Sequence, residues 1–110
     1  IEGIDLEDFS ANFNKKKFFL KGINISIVEN IKTNHWQARI YERGSGETKA
    51  CGSAACAISI CLKFFANIKS KNHYIHMHGG KAQVKWSGKD LEPVYLLGTA
   101  SYVFNGTYNI

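Results

Sequence analysis

The segment "SAACAISICLKFFA", Ser53 to Ala66, constrains this chain more than any other. It is Ala, Cys, Ile, Leu and Phe nearly throughout, with only Ser53, Ser59 and Lys63 polar. Its length and residue types predict a helix. A helix apolar on every side needs cover on every side. It is too short to cross a bilayer core, which takes roughly 20 residues. In a small chain the natural cover is a curved sheet, and the flanking sequence offers the strands. "INISIVEN", Ile23 to Asn30, is rich in β-branched residues. "HWQARIYER", His35 to Arg43, alternates, and the two predict a hairpin through "NIKTN". "HYIHMH", a Gly79-Gly80 turn and "KAQVKW" predict another. "PVYLLGTASYVFNGTYN" predicts one or two strands more, broken near Gly98. Leu6, Phe9 and Phe13 stand at helical spacing, with Asp5 as an N-cap. "NKKKFFLKG" and "GSGETKACG" read as loops. The expected architecture is α+β: one domain over residues 1–110, a strongly bent, mostly antiparallel sheet wrapped around one central buried helix.

The 45% apolar and 13% aromatic content of the 110 residues is enough for a core and excludes a disordered chain. The net charge of +5 comes from twelve lysines and only two arginines. Apart from Lys15 to Lys17 the lysines are scattered, so they read as a solvated surface. A nucleic-acid partner, which needs a basic stripe with Arg or stacking aromatics, is not expected. Neither a membrane segment nor a signal peptide is evident. The single methionine is Met77, so Ile1 is not a natural start, and the chain is expected to be a piece of a longer protein or a trimmed one.

Cys51, Cys56 and Cys61 are spaced by five residues. At about 100° per residue, successive cysteines point about 140° apart on a helix. They cannot share a face, which argues against a metal cluster or a redox pair. Cys56 and Cys61 are expected to be small buried hydrophobes. Free thiols without a disulfide framework fit a reducing cytoplasm. His73, His76 and His78 lack nearby acids or cysteines, so no metal site is expected.

Cys51 differs, because it opens the helix. The first turn of a helix offers unpaired N–H groups and a positive dipole end, which can bind a carboxylate through backbone alone. Gly52 lets a ligand approach closely, and Ser53 adds a hydroxyl. The same dipole favours a thiolate. Such a stretch can grip a carboxylate and present a base beside the carbon that bears it, as removal of an α-proton requires. Glu42 and Arg43, at the end of a strand, suit an ammonium group and a second carboxylate. Asn24 is polar within an apolar strand, expected beside them. The site reads as one for a small dicarboxylic amino acid.

The run "ERGSGETKACGSAACA", Glu42 to Ala57, resembles the signature E-R-G-x-G-E-T-x-A-C-G-[ST]-G-A-C-A of the diaminopimelate epimerase family. "GINISIVE" is similar to an upstream segment of that family and "LLGTASYVFNGTY" to its closing strands. The resemblance implies cofactor-free interconversion of LL- and meso-diaminopimelate, in lysine and peptidoglycan synthesis. It implies that Cys51 is one of two catalytic thiols, that Glu42 contacts the substrate ammonium and supports catalysis, that Arg43 and Asn24 bind the distal carboxylate, and that Gly52 and Ser53 hold the reacting carboxylate. Ala54 departs from the usual glycine. The family's other cysteine is expected in an N-terminal half absent from this chain, which would leave the chain as one wall of the site, inactive alone. That half and a second copy of the chain, as a homodimer, are the partners implied. Alternatives are another amino-acid racemase of the same fold or a non-catalytic truncated module; Arg43 speaks for a dicarboxylate.

Overall fold

Helix α1 (Leu6–Asn14), strands β1 (Ile25–Lys32), β2 (His35–Glu42) and β3 (Gly46–Thr48), helix α2 (Gly52–Ala66), and strands β4 (Asn72–Met77), β5 (Gly80–Lys85) and β6 (Tyr95–Leu97) follow one another along the chain. They come from a computed structural model that describes residues 1–15 and 18–110. Lys16 and Lys17, and with them most of the expected lysine cluster, lie outside the described residues. The fold is α+β. One sheet runs in the order β1-β2-β4-β5-β6, with β3 added to β2. β2 and β4 pair in parallel, and the remaining pairings are antiparallel.

The local chemistry accounts for most boundaries. Asp5 caps α1 by accepting the Asp8 N–H at 3.0 Å. The expected hairpin joins β1 and β2, with Asn34 in the left-handed conformation at its turn. α2 ends at Asn67, also left-handed, where the Ile68 N–H returns to the Leu62 carbonyl at 3.0 Å. The parallel β2–β4 step places α2 as the crossover between two strands that share a core face.

That core joins Ala55, Ile58 and Leu62 of α2 to Ala38 of β2, Ile75 of β4, and Ala82 and Val84 of β5. Side chains alternate along a strand, so Gln37, Arg39 and Tyr41 turn to the opposite face. The N-terminal segment covers part of that face: Arg39 Nη1 donates to the carbonyls of Ile1 at 2.9 Å and Ile4 at 2.8 Å. The same guanidinium forks onto Glu47 of β3 through two hydrogen bonds of 2.7 Å. At the start of β2, on the same face, His35 and His76 share a hydrogen bond of 2.8 Å across the parallel pair, and Tyr74 stacks on His35. Burial is the first cause lowering the pKa of both imidazoles, followed for His35 by the charge of Lys32 and for His76 by that of Lys81.

Three expectations need correction. The glycine-rich stretch after Glu42 is not all loop: Gly44 and Gly46 supply the positive φ of a tight turn, and β3 follows it. The closing stretch forms one strand, β6, within the one or two expected and ending just before Gly98, and residues 98–110 carry no regular structure. α2 is sheltered by the sheet on one side only. Phe64 and Phe65 are exposed, and Val28, Ala57 and Cys61 line an open apolar groove of about 440 Å³ between β1 and α2. Cys61 is therefore exposed rather than buried, and Cys56 is half-buried. An apolar surface all round predicted full cover, but the described sheet reaches only one flank.

The fork between Arg39 and Glu47 gives a pH test. Its hydrogen bonds hold Glu47 below the ordinary glutamate value of 4.5, against an opposing push from burial. A depressed carboxyl stabilises the fold fully above that value and loses the contribution as pH falls through its folded-state value. Glu47→Gln is expected to be less stable than the wild type at pH 7, with the gap closing as pH falls below 4.5. Urea unfolding across pH checks this; a gap that persists unchanged in acid contradicts it.

Candidate functional site

The turn after β2 and the mouth of α2 hold the residues the sequence singled out. Glu42 ends β2 on the same face as Ala38 and Ile40, by strand alternation. That is the side of the sheet on which α2 packs, so the carboxylate and the helix mouth share one side. Thr48 of β3 donates its hydroxyl to Glu42 Oε1 at 2.6 Å. Glu42 is thus held by Thr48 and not by its neighbour Arg43. Three residues after Thr48 comes Cys51.

Asn24 lies just before β1, not within it. Its Oδ1 accepts the backbone N–H of Arg43 at 2.9 Å, and Arg43 Nη1 donates to the Lys21 carbonyl at 2.9 Å. Asn24 and Arg43 are brought together as expected, with the Asn24 oxygen spent on backbone. A Cβ at Gly22 would come within 2.8 Å of Asn14 Oδ1 but only into ordinary contact, 3.5 Å, with the Arg43 Cβ; the φ of +75° there also favours glycine.

Cys51 is the N-cap of α2, with extended backbone at φ −148° and ψ 112°. Its side chain makes no capping bond. An N-cap Ser or Asp would spend its oxygen on the first turn; here the sulfur stays available. Ser53 Oγ lies 3.3 Å from Cys51 Sγ, so the hydroxyl sits on the thiol. Gly52 begins the helix, one residue before the expected start. A Cβ on Gly52 would come within 2.7 Å of Leu96 Cδ2. In this structure the close approach that glycine permits is made by Leu96 of β6. An open groove of about 320 Å³ runs beside the mouth, lined by Ala50, Gly52, Met77, Lys81 and Leu96 among others.

Sequence reasoning missed three contributors. Thr48 lies inside the quoted signature, and its spacing from Glu42 was a usable signal once β3 is a strand. Met77, whose Sδ accepts the Cys51 N–H at 3.5 Å, and Leu96 come from distant strands and left no local signal. The three histidines of the "HYIHMH" run have separate partners. His73 is buried and accepts from Trp36 Nε1 at 3.3 Å, with burial lowering its pKa. His76 pairs with His35, and His78 Nε2 lies 3.8 Å from Glu2. Among the described residues no group of three or more His, Cys, Asp or Glu could hold a metal ion, and no helix is long and apolar enough to cross a membrane.

Comparison with known proteins finds likenesses at the level of family and of fold. The family described as diaminopimelate epimerase matches residues 1–103. A diaminopimelate epimerase from Blochmanniella floridana is 41% identical over 93 residues, which is 84% of this chain and 33% of that protein. One from Buchnera aphidicola is 38% identical over 95 residues, 86% of this chain and 33% of that protein. One from Nitrosomonas eutropha is 38% identical over 92 residues, 84% of this chain and 32% of that protein. The chain therefore spans about a third of the length of the curated relatives it matches. Among solved structures, a phenazine biosynthesis PhzF family protein from Enterococcus faecalis aligns with a TM-score of 0.57 at 14% identity, covering 78% of this chain and 31% of that one. A putative PhzC/PhzF protein from Clostridium difficile aligns with 0.56 at 16% identity, covering 73% and 27%. At those identities the likeness is one of fold.

The exposure of the three thiols sets an order of labelling. Burial pushes the Cys56 thiol up, which leaves less thiolate. Brief alkylation of the folded chain is expected to modify Cys51 and Cys61 ahead of Cys56, read by peptide mass spectrometry. Cys56 labelling as fast as Cys61 contradicts the packing of α2 described above.

Proposed function

This chain belongs to the diaminopimelate epimerase family, and on that premise we propose that it supplies one wall of a cofactor-independent, two-thiol epimerase site for diaminopimelate, as a domain equivalent to the C-terminal domain of a two-domain enzyme. The observation that carries the reading is the thiol of Cys51, which makes no capping bond and meets the Ser53 hydroxyl at the mouth of α2, on the same side of the sheet as Glu42.

The reaction needs no change of oxidation state. A thiolate at Cys51 takes the α-proton of the substrate and becomes a thiol. The electron pair left on the α-carbon is shared with the adjacent carboxylate. A second thiol on the opposite face delivers a proton and becomes a thiolate, which inverts the centre. The N–H groups of the first turn, at Gly52 and Ser53, hold that carboxylate where its negative charge grows, so they stabilise the transition state more than the ground state. Glu42, oriented by Thr48, receives the substrate ammonium. The Arg43 guanidinium takes the distal carboxylate in a fork, on a loop that Asn24 fixes through the Arg43 amide. Ala54 in the first turn favours the helix over glycine there.

One thiol serves one face. Cys56 and Cys61 lie farther along α2 and point elsewhere, so the opposite proton donor belongs to another wall. Solvent deuterium incorporation at the substrate α-carbon, followed by NMR, tests this. The chain joined to a wall bearing the second thiol is expected to exchange and invert the substrate, and Cys51→Ala in that assembly to lose both. Retained exchange and inversion in Cys51→Ala, or efficient inversion by this chain alone, overturns the reading.

Substrate choice gives a second test in the same assembly. Arg43→Ala is expected to lower kcat/KM by about tenfold to a hundredfold, the scale of one charged hydrogen-bonded contact. Arg43→Lys recovers only part of the loss, because a point charge cannot replace a fork. Unchanged kinetics in Arg43→Ala removes Arg43 from the site.

A further inference from the structure

The segment that delivers Cys51 to the helix mouth is pinned by the end of β4 and the turn that follows. The Gly79 N–H donates to the Lys49 carbonyl at 2.6 Å. The Cys51 N–H donates to Met77 Sδ at 3.5 Å. The turn can lie this close because Gly79 is bare: a Cβ there would stand 3.0 Å from the Lys49 oxygen and 3.3 Å from the Ala50 Cβ. One contact fixes the segment two residues before the thiol, and the other fixes the thiol's own residue.

The second contact depends on the kind of side chain at position 77. The amide of an N-cap residue lies outside the helical ladder and needs another acceptor. Met77 packs against the core as an apolar residue does, yet its thioether can accept a hydrogen bond. Leucine would fill similar space and accept nothing. With its amide unheld, Cys51 is free to shift within the extended region that N-cap residues share. Its sulfur can then turn onto the N–H groups of the first turn, as an ordinary capping side chain does. A thiol spent on capping is withdrawn from the mouth.

We propose that Met77 is a positioning residue for Cys51: its sulfur holds the Cys51 amide and so keeps the thiol off the helix cap and directed to the substrate side. The proposal rests on the reading of Cys51 as the reacting thiol, and its test needs no turnover. Met77→Leu keeps the volume and removes the acceptor, a swap that cores usually tolerate. Met77→Gln has similar length and restores an acceptor as an amide oxygen, at the expense of apolar packing. A packing role predicts that Leu is silent and Gln harmful. A positioning role predicts the reverse.

Two quantities are read in the 110-residue chain. One is the alkylation rate of Cys51 by iodoacetamide relative to the exposed Cys61 in the same molecule. The other is hydrogen exchange at the Cys51 amide. Met77→Leu is expected to slow Cys51 relative to Cys61 by about twofold to tenfold and to speed its amide exchange by a similar factor, the scale of one modest hydrogen bond. Met77→Gln is expected to stay near the wild type in both. The proposal is overturned if Met77→Leu leaves both quantities unchanged, or if Gln disturbs them as much as Leu. Should Met77→Gln fail to fold, amide exchange in Met77→Leu decides alone, because it reads the contact directly. If Cys51→Ala retains epimerase turnover, the functional reading fails while this measurement still reports whether Met77 holds residue 51.

Discussion

The fork of Arg39 onto Glu47 is the contact from which the site is built. Two parallel hydrogen bonds of 2.7 Å fasten β3 to β2 on the face away from α2. A strand of three residues has little pairing of its own to hold it. With Glu47 fixed on one face, alternation turns Thr48 to the other, where its hydroxyl meets Glu42. The chain then has only Lys49 and Ala50 in which to reach Cys51. The same guanidinium gathers the carbonyls of Ile1 and Ile4, so the N-terminal segment and the site loop are secured by one side chain. Lysine could supply the charge at this position but not the fork.

A second constraint is economy of capping. Helix mouths usually spend a side chain on their first N–H groups. α2 begins with a residue whose side chain makes no such bond. The cost of those open donors is offset elsewhere, by burial of Ala55, Ile58 and Leu62 against the sheet. What results is a donor array and a thiol presented together, and the backbone there is steadied from outside the helix, by Met77 and Gly79. Glu42 is treated in the same way, held by Thr48, while Arg43 is held through Asn24 and the Lys21 carbonyl. Each group assigned to substrate has its own support, and the supports come from different elements.

Much of this was legible in the residues. Asp5 announced α1, the β-branched and alternating runs announced β1 and β2, and the apolar run announced α2, because each rests on local periodicity or capping. The candidate residues Asn24, Glu42, Arg43, Cys51, Gly52 and Ser53 stood out by their types and spacing, and the long signature named their family. The short strand β3 did not stand out. Its glycines are turn residues of a hairpin, and three residues carry too little pattern to read. The cover of α2 was misjudged for a related reason. Composition says that a surface needs shelter, but only the arrangement of strands says which flank receives it.

The sequence by itself determined the α+β class, most element boundaries, the family, and the residues set at the helix mouth, since all of these follow from local pattern. Tertiary structure alone decided the parallel β2–β4 pairing, the Arg39–Glu47 fork, the pairing of His35 with His76, the seat of Leu96 on Gly52, and the capture of the Cys51 amide by Met77. Those contacts join residues 8 to 44 positions apart, and no short-range pattern encodes them. They form because alternation and the crossover through α2 bring particular side chains to one place.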